Sequence, residues 1–423
     1  MEQTITDKIK ALFLKKRNIL ILIFFTALIT RLAYMFFFTS VDVIHADECE
    51  YNHIAMSIIN GDGFYDSGSN RAAWAPGYPL FLSGVYLIFG QSYIAAKIIQ
   101  CVIGALLCLI IFWIGEESVS PKVGVVAGFI AAFYYGLIDM SAGLLSETLF
   151  TFLLALSILH LLKTKNDFGF KNKLIAGALL GLATLTRPPT LIFPLFVLIW
   201  LIVARKRIKK AVIDFAIIFL AFLIPIVPWA LRNYSIYHAF VPVSIHSGQV
   251  FWAAHNPHAP KGSAANIDGL EENTWYLEMP ELERDRLYME NGWKFIKTLS
   301  VVEMVELGFL KLWHLFFPSV IIYDITLVLI FPFFLSGLFH LRKTNNIQYY
   351  ILANFILITL IFYGSCRMRA PVSPYIITFA SAGVINFCKK QRKSLVLVSL
   401  GLWLLFNAVI FILKLADYDF GLF

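Results

Sequence analysis

Long apolar runs separated by short charged breaks make up most of this chain. Runs near the ~20 residues needed to cross hydrocarbon lie at 19–38, 93–113, 123–139, 143–162, 174–186, 190–204, 211–231, 320–341, 348–364, 373–388 and 395–413. They predict an all-α polytopic membrane protein, a single transmembrane domain over 1–423 with about 11 spans. Arg187-Pro188-Pro189 divides two of the shorter runs, and a tight reversal is expected there because proline cannot continue the helical hydrogen-bond ladder. The first run is too long for a signal-peptide core and lacks a small-residue cleavage site, so it reads as a retained anchor.

Three polar-patterned stretches predict helices that do not cross. Residues 299–317 carry Glu303, Glu306, Lys311 and His314, which are costly at the bilayer centre, and the stretch reads as an amphipathic helix lying on the outer surface. Residues 281–297 follow Pro280 and alternate in charge, as a solvated helix does. Residues 49–60 place Tyr51, Ile54, Ile58 and Ile59 on one helical face, which suits a short helix along the membrane surface. Two long outer loops result, 39–92 and 232–319.

Composition agrees with this reading, at 59% hydrophobic, 15% charged and a mean hydropathy of +0.74. The net charge of +8 would suggest nucleic acid if it were spread over the surface. Instead 21 of the 35 basic residues fall in short loops such as Lys15-Lys16-Arg17, Arg205–Lys210 and Lys389–Lys393. These loops are cytoplasmic by the positive-inside rule. That sets the amino terminus inside and the carboxyl terminus outside, and leaves no role for nucleic acid. Five Cys in a chain this long do not make a disulfide framework.

Chemistry is expected on the outer side. Asp47 and Glu48 stand just before the surface helix, where the helix dipole favours negative charge. An ionised carboxylate there is either a general base or a ligand for a divalent metal, and the spacing does not separate the two. Arg71, in the same loop, is placed to meet a phosphate. Glu147 at the outer start of a span, Arg187 at the proline break and Arg31 within the first span are ionisable groups at membrane depth, which mark function or pair with one another. His255 and Asn256 sit in W-A-A-H-N-P of the second outer loop as candidates to approach a sugar or a metal. No structural-zinc spacing, phosphate-binding glycine loop or dinucleotide fingerprint is present.

The ordered set D-E-x-x-Y-x-x-I-A, G-D-G-F, W-x-P-G-Y-P-L-F-L, S-E-T-L-F at 146–150, T-R-P at 186–188, P-W-A-L-R-N-Y at 228–234 and R-M-R-A-P-V-S-P-Y at 367–375 resembles the family 39 glycosyltransferases. These are GT-C-fold enzymes related to protein O-mannosyltransferases and the lipid A aminoarabinose transferase. The resemblance implies a GT-C bundle, a polyprenyl-phosphate-sugar donor and transfer on the outer face of the plasma membrane. It implies Asp47 as the base that deprotonates an acceptor hydroxyl, with Glu48 positioning the acceptor or a metal. Arg367 and Arg369 are then expected to bind the lipid phosphate, since a guanidinium matches phosphate oxygens with paired hydrogen bonds. Tyr78 of the W-x-P-G-Y-P segment is expected at the substrate. The large lumenal domain of the mannosyltransferases is missing, so the acceptor (lipid, glycan or protein) does not carry over. The competing classes are a lipid-sugar transporter, which needs a path to both faces and shows paired repeats, and a surface-polysaccharide polymerase or ligase.

Overall fold

A computed structural model describes residues 2–40, 44, 46–164, 169–205, 207–259, 261–264, 279–317, 321–389, 401 and 403–408. Among them every regular element is helical. The first half holds α1 (Glu2–Phe38), α2 (Asp47–Asn60), α3 (Gly77–Phe89), α4 (Tyr93–Ser118), α5 (Pro121–Phe133), α6 (Tyr135–Ala142), α7 (Ser146–Thr164) and α8 (Phe170–Thr186). After a 3-10 turn at Pro188–Thr190 come α9 (Phe193–Arg205), α10 (Ile208–Tyr237), α11 (Ser247–Ala254), α12 (Glu281–Ile296) and α13 (Val301–Phe316). The chain then forms α14 (Ile321–His340), α15 (Ile347–Ile361), α16 (Cys366–Arg369) and α17 (Ser373–Lys389).

Among the described residues six helices are long and apolar enough to cross a membrane, and a seventh span forms if the bent pair α5–α6 is taken as one. Three shorter apolar helices, Gly77–Phe89, Asp324–His340 and Ile347–Ile361, accompany them. The expected span at 395–413 lies mostly outside the described residues. The expected span at 123–139 is broken: Tyr134 is extended and α5 and α6 meet at 50°. The break is stable because the freed Tyr135 N–H donates to Thr326 Oγ1 (3.0 Å) and the Tyr134 hydroxyl to Asp324 (3.0 Å), and a backbone group at this depth needs a partner inside the protein. Helix α3 falls within the expected outer loop 39–92; its 13 residues are short for a full crossing, and its Leu87 and Ile88 remain exposed.

Burial sorts the bundle into layers. The segments Tyr93–Ser118, Ser146–Thr164 and Arg367–Cys388 are mostly buried, whereas α1 buries little beyond one stripe. Phe150, Leu154 and Ile158 of α7 pack with Ile111 and Phe112 of α4, Phe355 of α15 and Tyr375 and Phe379 of α17. Leu22, Phe37, Leu220 and Ile224 point outward from α1 and α10, as lipid-facing residues of a membrane bundle do. Lipid tails are as apolar as leucine, so close packing rather than water exclusion holds such helices together. The α8–α10 contact shows this: a Cβ on Gly177 or Gly181 would run into the Ile218 or Phe222 carbonyl.

The polar-patterned stretches fold as expected. Helix α13 starts with a full capping box between Ser300 and Glu303. It exposes Val301, Val302, Val305 and Phe309 while burying Leu310, Lys311 and Leu315.

Candidate active site

Four chain reversals meet at one end of the bundle: the start of α2, the start of α7, the end of α8 and α16. The basic breaks lie at the other end, where Lys16 pairs with Glu116, and Lys173 and Arg205 both pair with Asp214. Asp47 is the first residue of α2, followed by Glu48 and Glu50 in the same turn, where the exposed helix N–H groups favour carboxylates. Ala46 immediately before it holds φ 45 and ψ −120, a conformation that favours glycine and is strained in alanine.

Asp47 Oδ2 lies 2.8 Å from Arg367 Nη2, and the same nitrogen lies 2.7 Å from Glu147 Oε1. Arg367 Nε donates to that Glu147 oxygen at 2.8 Å. Arg187 Nη1 approaches it at 2.9 Å and donates to Ser146 Oγ at 3.0 Å. One carboxylate therefore anchors two guanidinium groups. Their exposure differs in a way that decides the roles: the Glu147 side chain is 0% exposed, Asp47 31% and Arg367 39%. Glu147 is the fixed post, while Asp47 and the outer edge of Arg367 face open space. The Pro188 break makes this possible, because Arg187 leaves the helix in an extended conformation and swings towards α7.

An aromatic wall backs the acids. The Tyr51 hydroxyl donates to Ser146 Oγ (3.1 Å), and its ring meets Trp74 at 5.1 Å and Tyr78 at 4.7 Å. Burial pushes the Tyr51 phenol up to about 12, so it stays a neutral donor. Trp74 stacks on His246 at 5.7 Å. Tyr78 is fully buried beneath this wall and its hydroxyl has no partner, so it packs rather than meeting a bound substrate in this conformation. Glu48 Oε1 accepts the Leu144 N–H at 2.6 Å and braces the turn before α7.

The other expected residues are not part of this cluster. Arg369, two residues from Arg367, is buried and spends its donors on Asp324 (2.8 Å), Leu315 O (2.7 Å) and Phe317 O (3.1 Å). Asp324 also accepts from Tyr134, Thr326 and the Leu327 N–H. This closed network takes Arg369 out of reach of a phosphate. His255 donates through Nδ1 to Phe251 O (2.8 Å) and sits 2.7 Å from Lys311 Nζ. Asn256 ties off its own helix end by donating to Trp252 O at 2.8 Å. Arg71 is exposed and lines a polar cavity of about 370 Å³ with Asn70, Tyr237, Glu281 and Arg284. Arg31 is buried without a carboxylate, donating to Ala27 O and Ala131 O. Ser146, Asp324 and His246 were not anticipated, and Lys311 was expected only as a polar residue of a surface helix. A serine beside Glu147 and an acid at the start of a span were signals for the first two; the sequence carried none for His246.

A model of the dolichyl-phosphate-mannose-protein mannosyltransferase family matches residues 73–230. That stretch contains Glu147 and Arg187 but neither Asp47 nor Arg367. No curated protein matches the chain by sequence. Among solved structures, the chain is similar to the oligosaccharyltransferase AglB of Archaeoglobus fulgidus in complex with an inhibitory peptide and a dolichol-phosphate. The TM-score is 0.57 at 12% identity, over 93% of this chain and 54% of that one. An Archaeoglobus fulgidus oligosaccharyltransferase in complex with zinc and sulfate gives 0.58 at 13% identity, over 96% of this chain and 52% of that one. The chain has the GT-C glycosyltransferase fold. It spans about half the length of those oligosaccharyltransferase chains. ArnT from Cupriavidus metallidurans bound to undecaprenyl phosphate aligns at a TM-score of 0.44 and 12% identity, over 88% of this chain and 77% of that one. The family match is confined to residues 73–230, and the shared GT-C fold extends over most of the chain.

No group of three or more His, Cys, Asp or Glu side chains converges as a ligand set among the described residues. Asp47 pairs with Arg367, and Glu48 accepts the Leu144 N–H.

Proposed function

We propose that the protein transfers a sugar from a polyprenyl-phosphate-linked donor to an acceptor hydroxyl, at the outer face of the plasma membrane and with inversion. The observation that carries this is the sharing of Arg367 between buried Glu147 and half-exposed Asp47, with Arg187 on the same Glu147 oxygen. Two guanidinium groups at the mouth of a membrane bundle form a receptor for a lipid phosphate. The donor phosphate competes with Asp47 for Arg367, and as it binds it releases the Asp47 carboxylate. The acceptor oxygen then attacks the anomeric carbon while Asp47 takes its proton. The bond from that carbon to the phosphate oxygen breaks on the opposite side. The leaving polyprenyl phosphate carries the electron pair away, and Arg187 and Arg367 hold its developing charge. Tyr51, kept neutral, steadies Ser146 beside them.

Placement on the outer face is supported by chain alternation, since the cluster lies at the end opposite the basic loops. The convergence of two acids and two arginines on one mouth favours an enzyme over a transporter, whose polar path would reach both faces. The acceptor is a lipid, glycan or protein.

The test is Asp47→Asn in the full chain, expressed in a deletion strain whose lipid-linked sugars are followed by mass spectrometry. The deletion accumulates the unused polyprenyl-phosphate sugar, wild type clears it, and Asp47→Asn fails to clear it while inserting normally. General-base removal is expected to slow turnover by about 10²–10⁴-fold. Wild-type clearance by this variant would end the assignment.

A further inference from the structure

Lys311 is a buried lysine that pairs with no carboxylate among the described residues. It is 2% exposed, on the inner face of α13. Its Nζ lies 2.7 Å from His255 Nε2 and donates to Leu360 O at 2.9 Å. His255 is oriented to receive it, because Nδ1 is committed to Phe251 O at 2.8 Å, which leaves Nε2 as the acceptor of the neutral ring. Burial and the neighbouring Lys311 hold His255 in that neutral form, its pKa lowered to about 4. Such an arrangement is costly, since an ammonium loses its hydration and gains only two neutral partners. Burial accordingly lowers Lys311 to about 8.

Its position accounts for the cost. Leu360 O begins the turn that leads from α15 into α16. Further along that turn, Gly364 N donates to Gly262 O at 3.0 Å. A Cβ on Gly364 would overlap the Lys311 carbonyl, so only glycine lets the turn seat on α13 this closely. Ser365 then caps the Met368 N–H at 3.3 Å, and Arg367 projects from the next turn towards Asp47 and Glu147. Lys311 thus touches the turn at both of its ends, through Nζ and through its own carbonyl.

We propose that Lys311, oriented by His255, is a positioning residue for Arg367: it latches the 360–366 turn onto α13 so that the guanidinium is held where a lipid phosphate binds. The proposal rests on the phosphate role given to Arg367 above. It also gives His255 a function through Lys311 rather than at the sugar.

The test uses the full chain in lipid nanodiscs, with undecaprenyl phosphate as the probe. Affinity is measured for wild type, Arg367→Met, Lys311→Met, Lys311→Arg and the Lys311→Met/Arg367→Met double variant. Amide hydrogen exchange over 361–368 is followed in each. Arg367→Met is expected to weaken binding by about tenfold or more, and Lys311→Met by about tenfold. The double variant should bind no worse than Arg367→Met alone, because Lys311 acts only through that arginine. Lys311→Arg, which keeps a cation and a donor for Leu360 O, should recover most of the affinity. In Lys311→Met the 361–368 amides should exchange about tenfold faster, with α2 unchanged. Should Lys311→Met fail to fold, Gly364→Ala carries the same exchange test with Lys311 intact. Unchanged exchange over 361–368, or multiplicative losses in the double variant, would overturn the latch. If Arg367→Met binds the lipid like wild type, the phosphate role fails, and the latch is decided by exchange alone.

Discussion

Arg367 and Arg369 occupy one short motif, yet the fold gives them opposite lives. Arg369 meets Asp324 with both side chains almost fully buried (4% and 6% exposed), and the remaining donors go to backbone carbonyls. Arg367 shares one deep carboxylate with Arg187 and reaches a second at the surface. The first arrangement is closed, and nothing can enter it without breaking a buried pair. The second holds its arginine from one side and leaves the other side to exchange Asp47 for a ligand. A buried ion pair and a binding site are made here from the same residue types. What separates them is whether every donor is used.

That contrast is sharpest under substitution. Arg369→Met leaves Asp324 buried without its cation and should destabilise the protein by about 3–5 kcal/mol, read as a fall in melting temperature. Adding Asp324→Asn removes the orphaned charge and should recover part of the loss; no recovery would mean that Arg369 works through packing alone. Arg367→Met should shift stability by about 1 kcal/mol or less, because its pair with Asp47 is half-exposed and Arg187 still neutralises Glu147. A loss as large as that of Arg369→Met would erase the distinction.

A further effect concerns pH, through His255 and Lys311. His255 titrates near 4 when folded, against 6.5 for an ordinary histidine. The unfolded chain therefore gains a proton between those values that the folded protein refuses, so stability falls as pH drops from 6.5 towards 4. Lys311, lowered from 10.5 to about 8, contributes the same sign at the other end: the folded protein sheds its proton first, and stability rises as pH climbs from 8 towards 10.5. Melting curves of Lys311→Met should lack that alkaline rise. Ala46→Gly should relieve backbone strain at the start of α2 and stabilise by about 1 kcal/mol. An unchanged or lower melting temperature would show that the strain is compensated locally.

Much of this was legible in the chain. Runs of near-spanning length gave the membrane bundle, and the polar patterns of 281–297 and 299–317 gave α12 and α13. The proline break foretold the reversal at Arg187, and the acid pair after the first span marked the start of α2. Other features could not be read in one dimension. The motif R-M-R offers two arginines without saying which one turns inward. His255 looks like a loop histidine until Lys311 is brought against it, and the α5–α6 break shows only once Thr326 arrives to satisfy Tyr135.

Hydrophobic spacing thus determined which segments sit in lipid and which ends carry charge, because each residue's cost in hydrocarbon is a local property. Partnership was decided by the tertiary structure. Whether a guanidinium is consumed or left open depends on carboxylates and carbonyls delivered from distant helices, and no local pattern records their arrival.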